Sequence, residues 1–213
     1  MRQMKLTNIQ KRNLYLFFFY LLSWTWGIIP SFFGGLVMLV LAPFGKVKFD
    51  RGRFYAVVGK NWGGLELGCF YVICENCELD RQMIAHEGFG HSIQNCILGP
   101  LFPFVVAAPS AARYWVIYHS KYENKKKFVV ALYALLITYS IIIVALFSSL
   151  WWLALGLFVY ATILFIWLWF VEVPQYKEKP YPKYDDIWFE GTATGWGLQI
   201  LNWYDKMSEG EDD

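Results

Sequence analysis

Charged side chains are scarce in this chain, and one long stretch has none at all. Asp, Glu, Lys and Arg make up 17% of 213 residues, against 57% hydrophobic and 20% aromatic. A soluble domain is usually about 25% charged and below about 50% apolar. The shortage argues against an ordinary soluble globular protein and predicts an integral membrane protein. Phe128–Val171 runs for 44 residues without a formal charge, about twice what one helical span needs.

Other shortages narrow the function. Cysteine occurs four times, as Cys69, Cys74, Cys77 and Cys96. Cys74 and Cys77 form one C-x-x-C, but no second pair completes a zinc ribbon. Small apolar residues in a partly buried segment are the favoured reading, with a disulfide or auxiliary metal site as the alternative. No Gly-rich phosphate loop precedes a helix, and no Ser lies in a nucleophile elbow. The basic residues lie beside apolar runs, where lipid headgroups account for them and nucleic acid is not needed. No removable signal peptide is expected, because the first apolar run is too long and no small-residue cleavage site follows. Acidic residues are missing from Met1–Arg12, which carries Arg2, Lys5, Lys11 and Arg12. That favours a cytoplasmic N-terminus.

The patterning divides the chain into five segments. Residues 1–45 form an N-terminal membrane segment. Its apolar run, Leu14–Leu41, is interrupted by Pro30 and Gly34-Gly35. It is either a kinked span or a re-entrant pair of half-helices, the latter preferred. Residues 46–120 begin with two aromatic and β-branched runs, 49–58 and 65–73, expected to pair as an antiparallel hairpin. Asp80 is then an N-cap for a helix from Arg81 to about Leu98, stopped by Gly99-Pro100. Leu101–Tyr118, with Pro103 and Pro109, reads as broken or re-entrant helix. Residues 121–173 start with the basic cluster Lys121–Lys127 and form a two-span transmembrane hairpin bending at Ser148-Ser149. Residues 174–205 are a linker and a helix bearing Glu190. Residues 206–213 are an acidic tail. The fold class is a mainly α integral membrane protein with a small β-hairpin. The charge cues place His86, His91 and Glu190 on the cytoplasmic side.

Two of only three histidines fall in His86-Glu87-Gly88-Phe89-Gly90-His91. In a zincin helix, His-Glu-x-x-His sets two histidines four apart, about 40° apart around the axis. Here they are five apart, leaving them about 140° apart on a regular α-helix. Three readings follow. A π-bulge, eased by Gly88 and Gly90, brings His86 and His91 together and leaves Glu87 to polarise water. Alternatively, Glu87 and His91 are themselves the ligands. Or the helix is regular and these residues serve packing. Three ionisable groups beside apolar spans favour a metal site. Glu190 is the candidate third ligand. His119 is read as interfacial, Glu66 and Glu75 as solvent-facing, and Asp185-Asp186 as a helix cap. Gln94, one turn from His91, could orient it or a substrate.

Beyond these single residues, the chain resembles a group of largely uncharacterised bacterial membrane proteins. The resemblance rests on Trp62-Gly63-Gly64-Leu65-Glu66-Leu67-Gly68, Gly90-His91-Ser92-Ile93-Gln94, Leu98-Gly99-Pro100-Leu101, Pro109-Ser110 and Glu190-Gly191-Thr192-Ala193. That group is similar to gluzincin-type zinc metallopeptidases. The resemblance implies His86, His91 and Glu190 as ligands of one zinc ion, with Glu87 as general base. It also implies a bacterial inner membrane. The chain departs from the group by one extra residue between the histidines and by Thr194, where the pattern has Asp. The expected function is a membrane-embedded zinc hydrolase, most simply a peptidase acting on a peptide or membrane-protein substrate. Iron, cobalt or manganese could use the same donors. The competing expectation is a non-catalytic membrane protein whose degenerate site binds a partner protein or lipid.

Overall fold

A computed structural model describes residues 6–209. Arg2, Lys5 and the last four residues of the expected acidic tail lie outside them. The chain divides into two compact units, residues 1–103 with 184–213, and residues 104–183.

The first unit opens with α1 (Asn8–Thr25) and α2 (Ile28–Leu41). Thr7 and Gln10 form a capping box at the start of α1, satisfying two of its orphan N–H groups. The apolar run is bent by 98° between Asn8–Thr25 and Ile28–Phe44, so it is a pair of half-helices and not one straight span. The break falls at Trp26-Gly27, not at the expected Pro30 or Gly34-Gly35. Pro30 sits in the first turn of α2, where its missing N–H costs nothing. Gly34 instead lets α2 touch the sheet: a Cβ there would lie 2.3 Å from the Leu67 carbonyl oxygen.

The sheet has four strands in the order β1-β2-β4-β3. They are β1 (Val47–Asp50), β2 (Arg53–Val57), β3 (Gly64–Leu67) and β4 (Phe70–Ile73). This corrects the single hairpin. Each apolar run is itself a hairpin, and the two join through a parallel β2–β4 pairing. The reason lies at the turns. Arg51 and Gly52 have φ of 47° and 73°, as a two-residue type I′ turn requires. Gly68, at φ 76°, turns the second run.

Pairing register assigns the sheet's two faces. Ala56, Val72 and Leu67 face α2, clustering with Met38. Arg53, Tyr55, Tyr71, Gly64 and Glu66 share the other face. Against it lies a continuous helical run: α3 (Arg81–Met83), a π-helical segment (Ile84–His91) and α4 (Ser92–Leu98). Asp80 caps it, its carboxylate accepting from Gln82 N and Met83 N. Gly99, at φ 53°, ends it. The last helix of this unit, α8 (Trp188–Glu209), crosses the π segment. It continues through Glu209, four residues into the segment expected to be tail. Cys74 and Cys77 are joined by a disulfide, against the favoured reading of simple packing. Cys69 and Cys96 are buried free thiols.

The second unit contains α5 (Ala108–Tyr118), α6 (Tyr122–Leu146) and α7 (Trp151–Trp167). The chain turns between α6 and α7 through Ser148–Leu150, as expected. Its core is Val116, Val129, Leu164 and Leu168 with Tyr176. Buried charged groups there have partners within the unit. Arg113 pairs with Glu172 at 3.3 Å, Tyr176 donates to the same carboxylate, and Lys125 Nζ donates to the Val116 carbonyl. His119 ends α5 against Phe128, partly exposed. Two helices, Tyr122–Leu146 and Ser148–Tyr176, are long and apolar enough to cross a membrane, or up to four if each bent pair counts as one span. These apolar helices suit a lipid bilayer.

Candidate metal centre

The π geometry answers the spacing problem. A π-helix bonds i to i+5, so residues five apart stack on one face. The rings of His86 and His91 lie 4.5 Å apart, centroid to centroid, at 86° to each other. The widened turn needs partners for its backbone. The Gly88 carbonyl accepts from Arg53 Nη1 and, at 2.9 Å, from Ser92 Oγ. Arg53 is itself buried, bonded to Tyr15 OH at 2.6 Å and set over the rings of Phe19 and Phe89. Two glycines bring α8 close enough to contribute. A Cβ at Gly90 would lie 1.9 Å from the Ala193 carbonyl oxygen, and one at Gly197 would lie 2.0 Å from that of Ala85. Only glycine permits this backbone contact. It delivers Glu190, wholly buried, to both histidines.

Hydrogen bonding fixes which nitrogen of each ring faces the centre. Gln94 Nε2 donates to the Phe189 carbonyl at 2.6 Å and to Thr192 Oγ1 at 2.8 Å. That orients the amide, so Oε1 lies 2.8 Å from His91 Nδ1. A carbonyl oxygen only accepts, so His91 Nδ1 carries a proton and donates. Thr194 Oγ1 donates to Asp185 Oδ2 at 3.2 Å and lies 2.8 Å from His86 Nδ1. With its proton committed to the carboxylate, the hydroxyl accepts from His86 Nδ1–H. With Nδ1 carrying the proton in each ring, Nε2 is the nitrogen left to bind a metal.

Both Nε2 atoms point at one oxygen. Glu190 Oε2 is 3.1 Å from His86 Nε2 and 3.4 Å from His91 Nε2. Three lone pairs this close repel unless a proton or a cation lies among them. Tetrahedral ligands on bonds of 2.0–2.2 Å sit about 3.3–3.6 Å apart, close to these separations. His86, Glu87 and His91 also place one ligand atom each within 4.8 Å of one another. The donor set of two imidazoles and carboxylate therefore fits a metal ion. Glu87 is held against β3: a Cβ at Gly64 would lie 2.5 Å from its Cγ, and the Glu66 N–H bonds its carboxylate.

Four residues here carry roles that the sequence reading missed or misplaced. Asp185 bonds Thr194 and so places a carboxylate behind His86. Gly64 makes room for Glu87, and Arg53 holds the π turn. Glu66, expected at the surface, is 4% exposed. It points inward because the Gly68 turn puts it on the same sheet face as Tyr71. Burial pushes its carboxyl well above the usual carboxylate range, with His91 opposing the shift. An acid two residues from Gly64 in an otherwise apolar strand was the available signal. Glu75 is exposed, with Lys46 and Lys60 as partners. No family model, curated protein or solved structure matches the chain.

Proposed function

We propose that this protein is a membrane-embedded zinc hydrolase, acting on a peptide or membrane-protein substrate. One observation carries the reading: the Nε2 atoms of two imidazoles converge on a single Glu190 oxygen, with the Glu87 carboxylate beside them. His86, His91 and Glu190 would hold the ion. A bound zinc ion supplies an activated water and polarises the substrate carbonyl. Glu87 takes the water proton and passes it to the leaving amine, as a general base and then acid. Gln94 and the Thr194–Asp185 pair hold the two rings in the tautomer that binds metal. Among the described residues no strand pairs with the outer edge of β3, which supports a peptide substrate, since an extended chain can add there. The reading puts the centre on the cytoplasmic side, which the basic flanks favour.

Metal analysis of the purified chain tests the reading. The expectation is about one equivalent of zinc, lost in His91→Ala. Glu87→Gln should keep the metal and lose peptide hydrolysis. Wild-type protein that takes up no metal, or Glu87→Gln that remains fully active, would refute it.

A further inference from the structure

Glu66 has no part in the scheme above, yet it is the costliest group near the centre. Both of its carboxylate oxygens are buried with no side-chain partner, and only the Gly68 backbone N–H lies close enough to favour their charge. A buried carboxylate of this kind calls for a cation or a donor. Its place is not remote. Glu66 shares a sheet face with Gly64, which abuts Glu87, and with Tyr71, which abuts Gly88. Both cations on this face are already committed, Arg53 to the Gly88 carbonyl and Tyr15, and Lys48 to Glu78. A second metal ion would need its own converging ligands. Among the described residues the only such group is His86, Glu87 and His91, which Glu66 does not join. An ammonium needs no ligand cage, only acceptors for its N–H bonds.

We propose that Glu66 receives a primary ammonium of the substrate, so that the centre selects peptides carrying a cationic amine beside the scissile bond. The proposal rests on the hydrolase reading. The amine is either a free α-amino group, which makes the enzyme cut near peptide N-termini, or a lysine side chain.

Binding to the zinc-loaded, full-length protein in detergent tests this without turnover. Leucine hydroxamate is compared with its N-acetyl form, and Nα-acetyl-lysine hydroxamate with Nα-acetyl-norleucine hydroxamate. A charge-assisted bond should make one amine bind about 10- to 100-fold more tightly than its neutral counterpart. The pair that shows the difference identifies the amine. Glu66→Gln keeps the side-chain shape and the N–H bond to Glu87, and should abolish the preference at unchanged zinc content. Glu66→Asp should retain part of it. No preference in either pair, or a preference that survives Glu66→Gln, overturns the proposal while leaving zinc and hydrolysis intact. If the wild type takes up no zinc, the hydrolase reading fails separately. Leucinamide against N-acetyl-leucinamide then makes the same comparison on the bare chain, and equal affinities again overturn the ammonium site.

Discussion

A methyl group at position 90 tests how the centre is held together. The added Cβ would lie 1.9 Å from the Ala193 carbonyl oxygen and 2.7 Å from its Cα, and real Cβ atoms keep at least 3.0 Å. Backbone lies on both sides, so no side chain can rotate away. The π segment and α8 must part by about 1 Å, the difference between 3.0 and 1.9 Å. Taken along the contact, this stretches the histidine–Glu190 separations of 3.1 and 3.4 Å to about 4.1 and 4.4 Å. Two bonds of 2.0–2.2 Å span at most about 4.4 Å, and only in a straight line. Gly90→Ala should therefore lose Glu190 as a ligand, while overpacking costs about 1–3 kcal/mol of stability. The matched control is Gly195→Ala on α8, the other partner of this contact, where nothing lies within 4 Å of the added Cβ. There alanine should gain up to about 1 kcal/mol of helix propensity. Zinc affinity by chelator competition and thermal unfolding are the assays. Gly90→Ala should fall by more than the roughly 10- to 100-fold that loss of a supporting hydrogen bond costs, and Gly195→Ala should match or out-melt wild type. Wild-type zinc affinity in Gly90→Ala would mean that this contact does not present Glu190.

Three further outcomes are expected. Thr194→Val and Asp185→Asn should each weaken zinc binding about tenfold, and the double variant should be little worse, because both break one relay; additive losses would refute the relay. Asp205 bonds Arg51 and Arg81, both at 2.7 Å; burial opposes its ionisation, but the two guanidinium groups win and hold its carboxyl below the usual aspartate range. A depressed value in the folded state means stability that is present above about pH 3.9 and lost as pH falls through the folded value. Asp205→Asn should cost about 1 kcal/mol at neutral pH, with the gap in melting temperature closing in acid; a gap that persists there argues against an ionic origin. A cytoplasmic centre also predicts that Cys74 and Cys77 are a dithiol in the cell, closing only in air. Alkylation in intact cells followed by mass spectrometry should find both modified, and a disulfide recovered under those conditions would place the centre on the oxidising side.

The parts of the fold legible in the sequence are those set by local chemistry. The Asp80 cap, the Gly99 stop, the turn near Ser148 and the chargeless stretch each depend on a few neighbouring residues. The sheet was only half legible, because aromatic and β-branched runs mark strands but do not say which strands pair. Arg51-Gly52 and Gly68 hold the missing information as turn signals inside those runs. In the centre, the histidines, Glu87 and Glu190 were visible as residue types. Asp185 and Arg53 were not, since each acts from a distant segment through a contact that only tertiary packing creates. Glu66 was misplaced for the same reason: its inward direction follows from the register with Tyr71, not from its neighbours in sequence.

The extra residue between His86 and His91 is best understood through what surrounds it. A chance insertion in a zincin-like helix would leave a strained turn with carbonyls short of partners. Here the Gly88 carbonyl receives two side-chain donors, one of them the buried Arg53. Gly90 and Gly197 remove the atoms that would keep α8 away. Thr194 in turn is backed by Asp185, which sets a carboxylate one hydrogen bond behind it. A site decaying by drift has no reason to keep such compensations together, since each is costly or neutral once the metal is gone. Their coexistence supports the proposed metal site with π-helical spacing over the reading of the motif as a relic.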